Sequence, residues 1–108
     1  MSTKLKTINI KGKEYVEVNE RLRFFRETYP KFSLTSEVLE KTDNSILILA
    51  SVIDEDGRVI ANGMAEEEKG STFINKTSYV ENCETSAWGR ALANFGIGLE
   101  TSVASADE

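Results

Sequence analysis

Apolar and polar positions alternate in different rhythms along the chain, and the changes of rhythm mark its elements. Thr7–Val18 places Ile8, Ile10, Tyr15, Val16 and Val18 in a weak alternation around Gly12, which stands between lysines. That pattern predicts a short hairpin. From Asn19 to Tyr29 the apolar residues Leu22, Phe25 and Tyr29 fall at i, i+3 and i+7, one stripe of a helix. Asn19 is a suitable N-cap, and Glu20 lies in the first turn, where negative charge is favoured. Pro30, the single proline, ends the helix. Arg23 and Arg26 fall off the apolar stripe, toward solvent or a ligand.

The middle of the chain turns to strand patterns. Phe32, Leu34, Ser36 and Val38 alternate within Phe32–Leu39, predicting a strand with one face buried. Ser45–Ile53 is almost wholly apolar and partly β-branched, and its length suits a central strand. Asp56-Gly57 is a strong hairpin-turn signal, and Val59–Glu67 is the return strand. A charged connection, Glu66-Glu67-Glu68-Lys69-Gly70-Ser71, follows.

The last helix opens with Ser78 and Glu81 in capping-box spacing. Val80, Cys83, Ala87, Ala91 and Phe95 form its expected core stripe, widened by Trp88 and Leu92. Ala87, Gly89, Ala91 and Ala93 keep the helix thin. Gly89 costs about 1 kcal/mol of helix propensity relative to alanine, a cost best tolerated where a backbone or a ligand comes close. Gly96 is suited to the C′ position. The order hairpin, helix, three strands, helix predicts an α+β fold, an antiparallel sheet with helices packed on one face. A five-stranded oligonucleotide-binding barrel is the alternative. Residues 1–108 are read as one domain, with 100–108 as a flexible tail.

Composition narrows the function classes. Of 108 residues, 40% are hydrophobic and 29% charged, ordinary proportions for a folded domain. The basic N-terminus has no apolar stretch behind it, so a signal peptide is not expected. One cysteine and no histidine rule out an intrachain disulfide and the usual zinc ligands. The net charge of −5 is unevenly spread: residues 1–31 carry +4 and residues 32–108 carry −9. An acidic chain can therefore present one basic face.

Catalysis is poorly served. No histidine is present as a general base, Cys83 falls on the core stripe, and no phosphate-cradling glycine loop occurs. The acidic runs Asp54–Asp56 and Glu66–Glu68 lack the spacing of a metal loop. No enzyme, metal or cofactor is expected. Binding is better served. Across 69–79, Lys69 and Lys76 offer charge, Asn75 and Thr77 offer hydrogen bonds, and Phe73 and Tyr79 can stack on bases, each at about 1–3 kcal/mol. The following helix N-terminus adds its free N–H groups. The same residues also have plainer roles, the aromatics as loop anchors and Ser78 as a cap. Arg90 is read either as a phosphate contact in a groove between helix and sheet or as an ion-pair partner of Glu84, Glu81 or an acidic strand residue.

The run from Ile74 to Gly98, with Thr77-Ser78-Tyr79, Asn82-Cys83-Glu84-Thr85-Ser86 and Gly89-Arg90-Ala91-Leu92-Ala93-Asn94-Phe95-Gly96, resembles a motif of small phage-encoded single-stranded DNA-binding proteins. Lys13–Val18, Arg21–Tyr29 and Val52–Gly63 fit the same group. More distantly, the architecture resembles single-strand annealing proteins of the Sak and Erf types. The resemblance implies a non-enzymatic protein that binds single-stranded DNA during phage replication or recombination, in the host cytoplasm, with a tendency to form homo-oligomers. Annealing activity and contacts with other replication or recombination proteins belong to the same expectation. The candidate binding residues are Lys69, Phe73, Asn75, Lys76, Thr77, Tyr79 and Arg90, with Arg23 and Arg26 as a second bank. The competing expectation is a protein-interaction module or an inhibitor of a host or defence protein, favoured by the acidic surface of residues 32–68.

Overall fold

The computed structural model describes residues 5–70 and 75–98. Strands β1 (Ile8–Ile10) and β2 (Lys13–Tyr15) form an antiparallel hairpin, turned by Lys11 and Gly12, both at positive φ. Helix α1 (Val18–Thr28) follows, then β3 (Ser33–Lys41), β4 (Ser45–Ile53), β5 (Val59–Glu68) and helix α2 (Asn75–Phe95). The second sheet has the order β3-β4-β5, all antiparallel. This is the expected α+β fold, with an open three-stranded sheet in place of the barrel alternative. Among the described residues, no helix is long and apolar enough to cross a membrane.

β4 is the central strand with the limits expected of it. Its Ile46, Ile48, Ala50 and Val52 are buried beneath α2, while Leu47, Leu49 and Ile53 on the other face are half-buried. The β4–β5 turn is built by Asp54, whose Oδ1 accepts the N–H groups of Asp56 and Arg58, with Gly57 at φ +86°.

One expectation about helix starts is corrected and another is extended. The N-cap of α1 is Glu17, not Asn19, because Val18 is buried and the helix must begin there to cover it. A short helical turn from Asn75 precedes the expected start of the long helix, and Ser78, at non-helical angles (φ −134°, ψ 27°), is the kink that separates the two within α2. After that break the buried stripe advances by fours. Tyr79, Cys83, Ala87, Ala91 and Phe95 face the core, and Val80, about 100° around the helix from Tyr79, is 38% exposed. The helix ends as expected: the Gly96 N–H reaches the carbonyl of Ala93 and the Ile97 N–H that of Leu92, a Schellman closure.

β3 also departs from its expected burial. Leu34, Ser36 and Val38 do lie on the helix-facing side, opposite Val52, Ala50 and Ile48. α2 runs along β4 and β5, however, and leaves this outer strand largely uncovered. Val38 is consequently 54% exposed.

The tightest contact joins α2 to β5. A Cβ placed on Gly63 would stand 2.5 Å from the Ala91 nitrogen and 2.7 Å from the Arg90 carbonyl carbon. These are backbone atoms, so a side chain cannot be relieved by a rotamer change. The close approach implied by the thin helix is thus made at a glycine of the sheet. Gly63→Ala is expected to force the helix off β5 and lower stability by about 1–3 kcal/mol, read as a reduced urea midpoint with an unchanged m-value.

Candidate functional site

The start of α2 meets two connections of the sheet. Lys69 follows β5, and its backbone N–H donates to the Asn44 carbonyl in the β3–β4 turn at 2.6 Å. That turn is organised by Thr42, whose Oγ1 accepts the N–H groups of Asn44 and Ser45. Lys41 precedes it and sends Nζ to the Tyr79 hydroxyl at 3.1 Å, lying 5.6 Å from the ring centroid. Lys41, Lys69 and Tyr79 therefore share one end of the molecule with the N-terminus of α2.

Lys41 was missed by sequence reasoning because its side is set by a bulge. Alternation from Leu34, Ser36 and Val38 would put Lys41 on the face away from the helices. The register shifts between Val38 and Glu40, so that Lys41 pairs with Ile46 on the helix side. One inserted residue reverses the side of everything beyond it. Nothing in the local sequence marks Leu39 as that residue.

The other candidates are distributed differently. Phe73 lies outside the described residues, as do the side chains of Asn75, Lys76 and Thr77 and the tail 100–108. The backbone of 75–77 forms the first turn of α2, which puts these residues at the same end as Lys41 and Lys69. Arg90 lies eleven residues beyond Tyr79, about 16 Å along the helix axis. Its Nη1 donates to the Met64 carbonyl at 2.9 Å, and Asn94 Nδ2 donates to the Asn62 carbonyl at 2.6 Å. These two side chains, one helical turn apart, hold alternate carbonyls of the edge strand β5. Glu84, proposed as an ion-pair partner of Arg90, instead accepts from Ser36 Oγ at 2.5 Å.

Arg23 and Arg26 belong to the opposite end. α1 packs beside the C-terminal part of α2, with Phe25 and Tyr29 against Phe95 at ring separations of 6.2 and 5.0 Å. Arg23 is clasped by Glu20 at 2.6 Å and Glu27 at 2.8 Å. The second bank thus does not adjoin the first, and Arg23 is electrically compensated within its own helix.

Arg21 is a further residue whose role the sequence did not disclose. It is fully buried, donating through Nε to the Ile97 carbonyl and through Nη1 to that of Val16, both at 3.0 Å. It ties α1 to the end of α2. Burial lowers its pKa, as expected for a cation removed from water. Cys83 is likewise structural: its buried thiol donates to the Ala65 carbonyl at 3.1 Å, and burial raises its pKa. Trp88 packs against the core, with Nε1 buried and without a partner among the described residues. No group of three or more His, Cys, Asp or Glu suited to a metal ion occurs among the described residues.

A family model described as Slr1353 N-terminal dsRNA-binding domain-like matches residues 22–95, the span from α1 through the sheet to the end of α2. No curated protein and no solved structure gives a significant match to the chain.

The Arg23 clasp has a readable pH signature. Its hydrogen bond, followed by the Lys6 backbone N–H, holds the Glu20 carboxyl down to about 2 from its ordinary 4.5. A carboxylate with a depressed folded-state pKa stabilises the fold above its ordinary value and loses that contribution as pH falls toward the lowered one. The effect is small for an exposed pair. Thermal melts of Glu20→Gln are expected to show a shallower loss of stability than the native chain between about pH 4.5 and pH 2.

Proposed function

The chain belongs to the Slr1353 N-terminal dsRNA-binding domain-like family, and on that footing we propose that it is a non-enzymatic nucleic-acid-binding domain whose ligand lies with its sugar-phosphate backbone across the start of α2. The observation that carries this reading is the convergence of Lys41, at the end of β3, and Lys69, just after β5, on the N-terminal end of a long helix. Lysines and the positive end of the helix dipole attract phosphates together. The acidic remainder of the chain repels the same polyanion and limits where it can settle.

Backbone contact fits the aromatic residues better than base stacking does. No Phe, Tyr or Trp side chain among those described is fully exposed, and Phe25, Tyr29, Phe32 and Phe95 pack on one another. Double-stranded RNA, the ligand in the family's description, is recognised through shape, phosphates and 2′-hydroxyls and needs no stacking platform.

Single-stranded DNA is the second reading. It is favoured by the Tyr79 ring standing beside Lys41 Nζ, the pairing of aromatic and cation that single strands use. The resemblance of residues 74–98 to phage single-strand binders supports it too. With that reading come roles in replication or recombination, annealing and self-association.

One titration separates these ligands and tests the site. Fluorescent double-stranded RNA and single-stranded DNA oligonucleotides are titrated with protein at several salt concentrations. Affinity for the true ligand should fall steeply with salt. Lys41→Ala and Lys76→Ala should each weaken binding and reduce the logarithmic salt slope by about 1. Binding by the double variant equal to that of the native chain would refute the site, and no binding of either oligonucleotide would refute the function.

A further inference from the structure

The sheet has two faces, and helix α2 covers one of them, with α1 packed beside α2. On the other, the register aligns Glu40, Leu47 and Glu66 in one cross-strand row and Glu37, Leu49 and Met64 in the next. Met64 is 52% exposed, and Leu47, Leu49 and Ile53 are only half-buried. An apolar band along the central strand is thus open to solvent, although a sheet face of this composition ordinarily packs against another layer. Four carboxylates surround the band, Glu37 and Glu40 from β3 and Glu66 and Glu68 from β5, all exposed. No Lys or Arg projects from this face within the three paired strands: Lys41, the one basic residue in them, is turned to the helix side by the bulge.

We propose that this face is a docking site for a basic amphipathic helix of a partner protein, one that sets an apolar stripe on Leu47, Leu49 and Met64 and places Lys or Arg against the flanking glutamates. Three strands span about 14 Å, a width that one helix of about 10–12 Å diameter covers. Charge selects the occupant. Nucleic acid is repelled by the four carboxylates. A second copy docked through the same face would set glutamates against glutamates, since a two-fold interface pairs a surface with itself. Residues 99–108 of this chain hold Glu100, Asp107 and Glu108 and no basic residue, so they are equally unsuited to it. The site lies on the opposite side of the sheet from α2, so a partner and a nucleic acid can be held together.

The experiment uses the full chain, isotopically labelled for NMR, and three synthetic peptides: a helical peptide with a leucine stripe flanked by lysines, the same design with glutamates, and a lysine–leucine peptide of scrambled order. The first peptide is expected to shift the amides of Leu47, Leu49, Ser51 and Met64, and the other two to leave them in place. The Glu37→Lys, Glu66→Lys double variant, altered only at exposed positions, is expected to weaken that peptide by about tenfold or more. Retention of native-like amide dispersion shows that the variant is folded. Its affinity for the oligonucleotide bound by the native chain is expected to hold or rise, so failure here is distinguishable from failure of the nucleic-acid reading. The proposal is overturned if no peptide shifts those amides, if shifts fall at the start of α2 or on the helices instead, if the scrambled or glutamate peptide binds equally well, or if charge reversal leaves the affinity unchanged.

Discussion

Helix α2 rests backbone to backbone on strand β5, because Gly63 offers no side chain where Arg90 and Ala91 pass. The alanines and the cysteine of the helix extend that close approach along the sheet. Ala87 and Ala91 are fully buried, and the Cys83 thiol bonds to the Ala65 carbonyl. At this distance Arg90 and Asn94 can reach over the strand and hold the carbonyls of Met64 and Asn62. An edge strand with free acceptors invites pairing with other chains. Here the helix that covers the sheet also occupies the acceptors of its edge.

The same seating distributes the charged groups. The far end of α2 is fixed to α1 by the buried Arg21, which bonds the Ile97 and Val16 carbonyls, and by the aromatic group around Phe95. Arg23 and Arg26 therefore remain at that end, with Arg23 held between Glu20 and Glu27. The near end of α2 receives Lys41 and Lys69 instead. Of the basic residues singled out in the sequence, Arg23 and Arg26 are thereby kept at one end of the molecule and Lys69 at the other, beside the start of α2.

The two faces of the sheet divide the remaining chemistry. The helix side carries the core and, at its margin, Lys41 with Tyr79. The open side carries Leu47 and Leu49 among glutamates. The bulge after Val38 maintains the separation: without it Lys41 would stand among those glutamates, and Tyr79 would lose its cation.

Much of the fold was legible in the sequence because it is local. The apolar run Ser45–Ile53 could only be an inner strand, Asp54-Glu55-Asp56-Gly57 could only turn, and Phe95-Gly96 could only close a helix, since each depends on periodicity or on a residue's own backbone preferences. The burial of Cys83 followed from the same periodicity. What tertiary structure alone decided concerns residues whose neighbours are distant in the chain. Nothing in the local sequence marks Arg21 as a buried tie until Ile97 and Val16 close around it. Arg90 reads equally well as a ligand contact until Met64 lies beneath it. Tyr79 displaces Val80 from the core because the helix breaks at Ser78. Lys41 joins the end that holds the start of α2 because an unmarked bulge changes its side. Sequence carries propensity and period, which act between near neighbours. Register, close approach and the pairing of charges depend on where separate elements come to rest against one another.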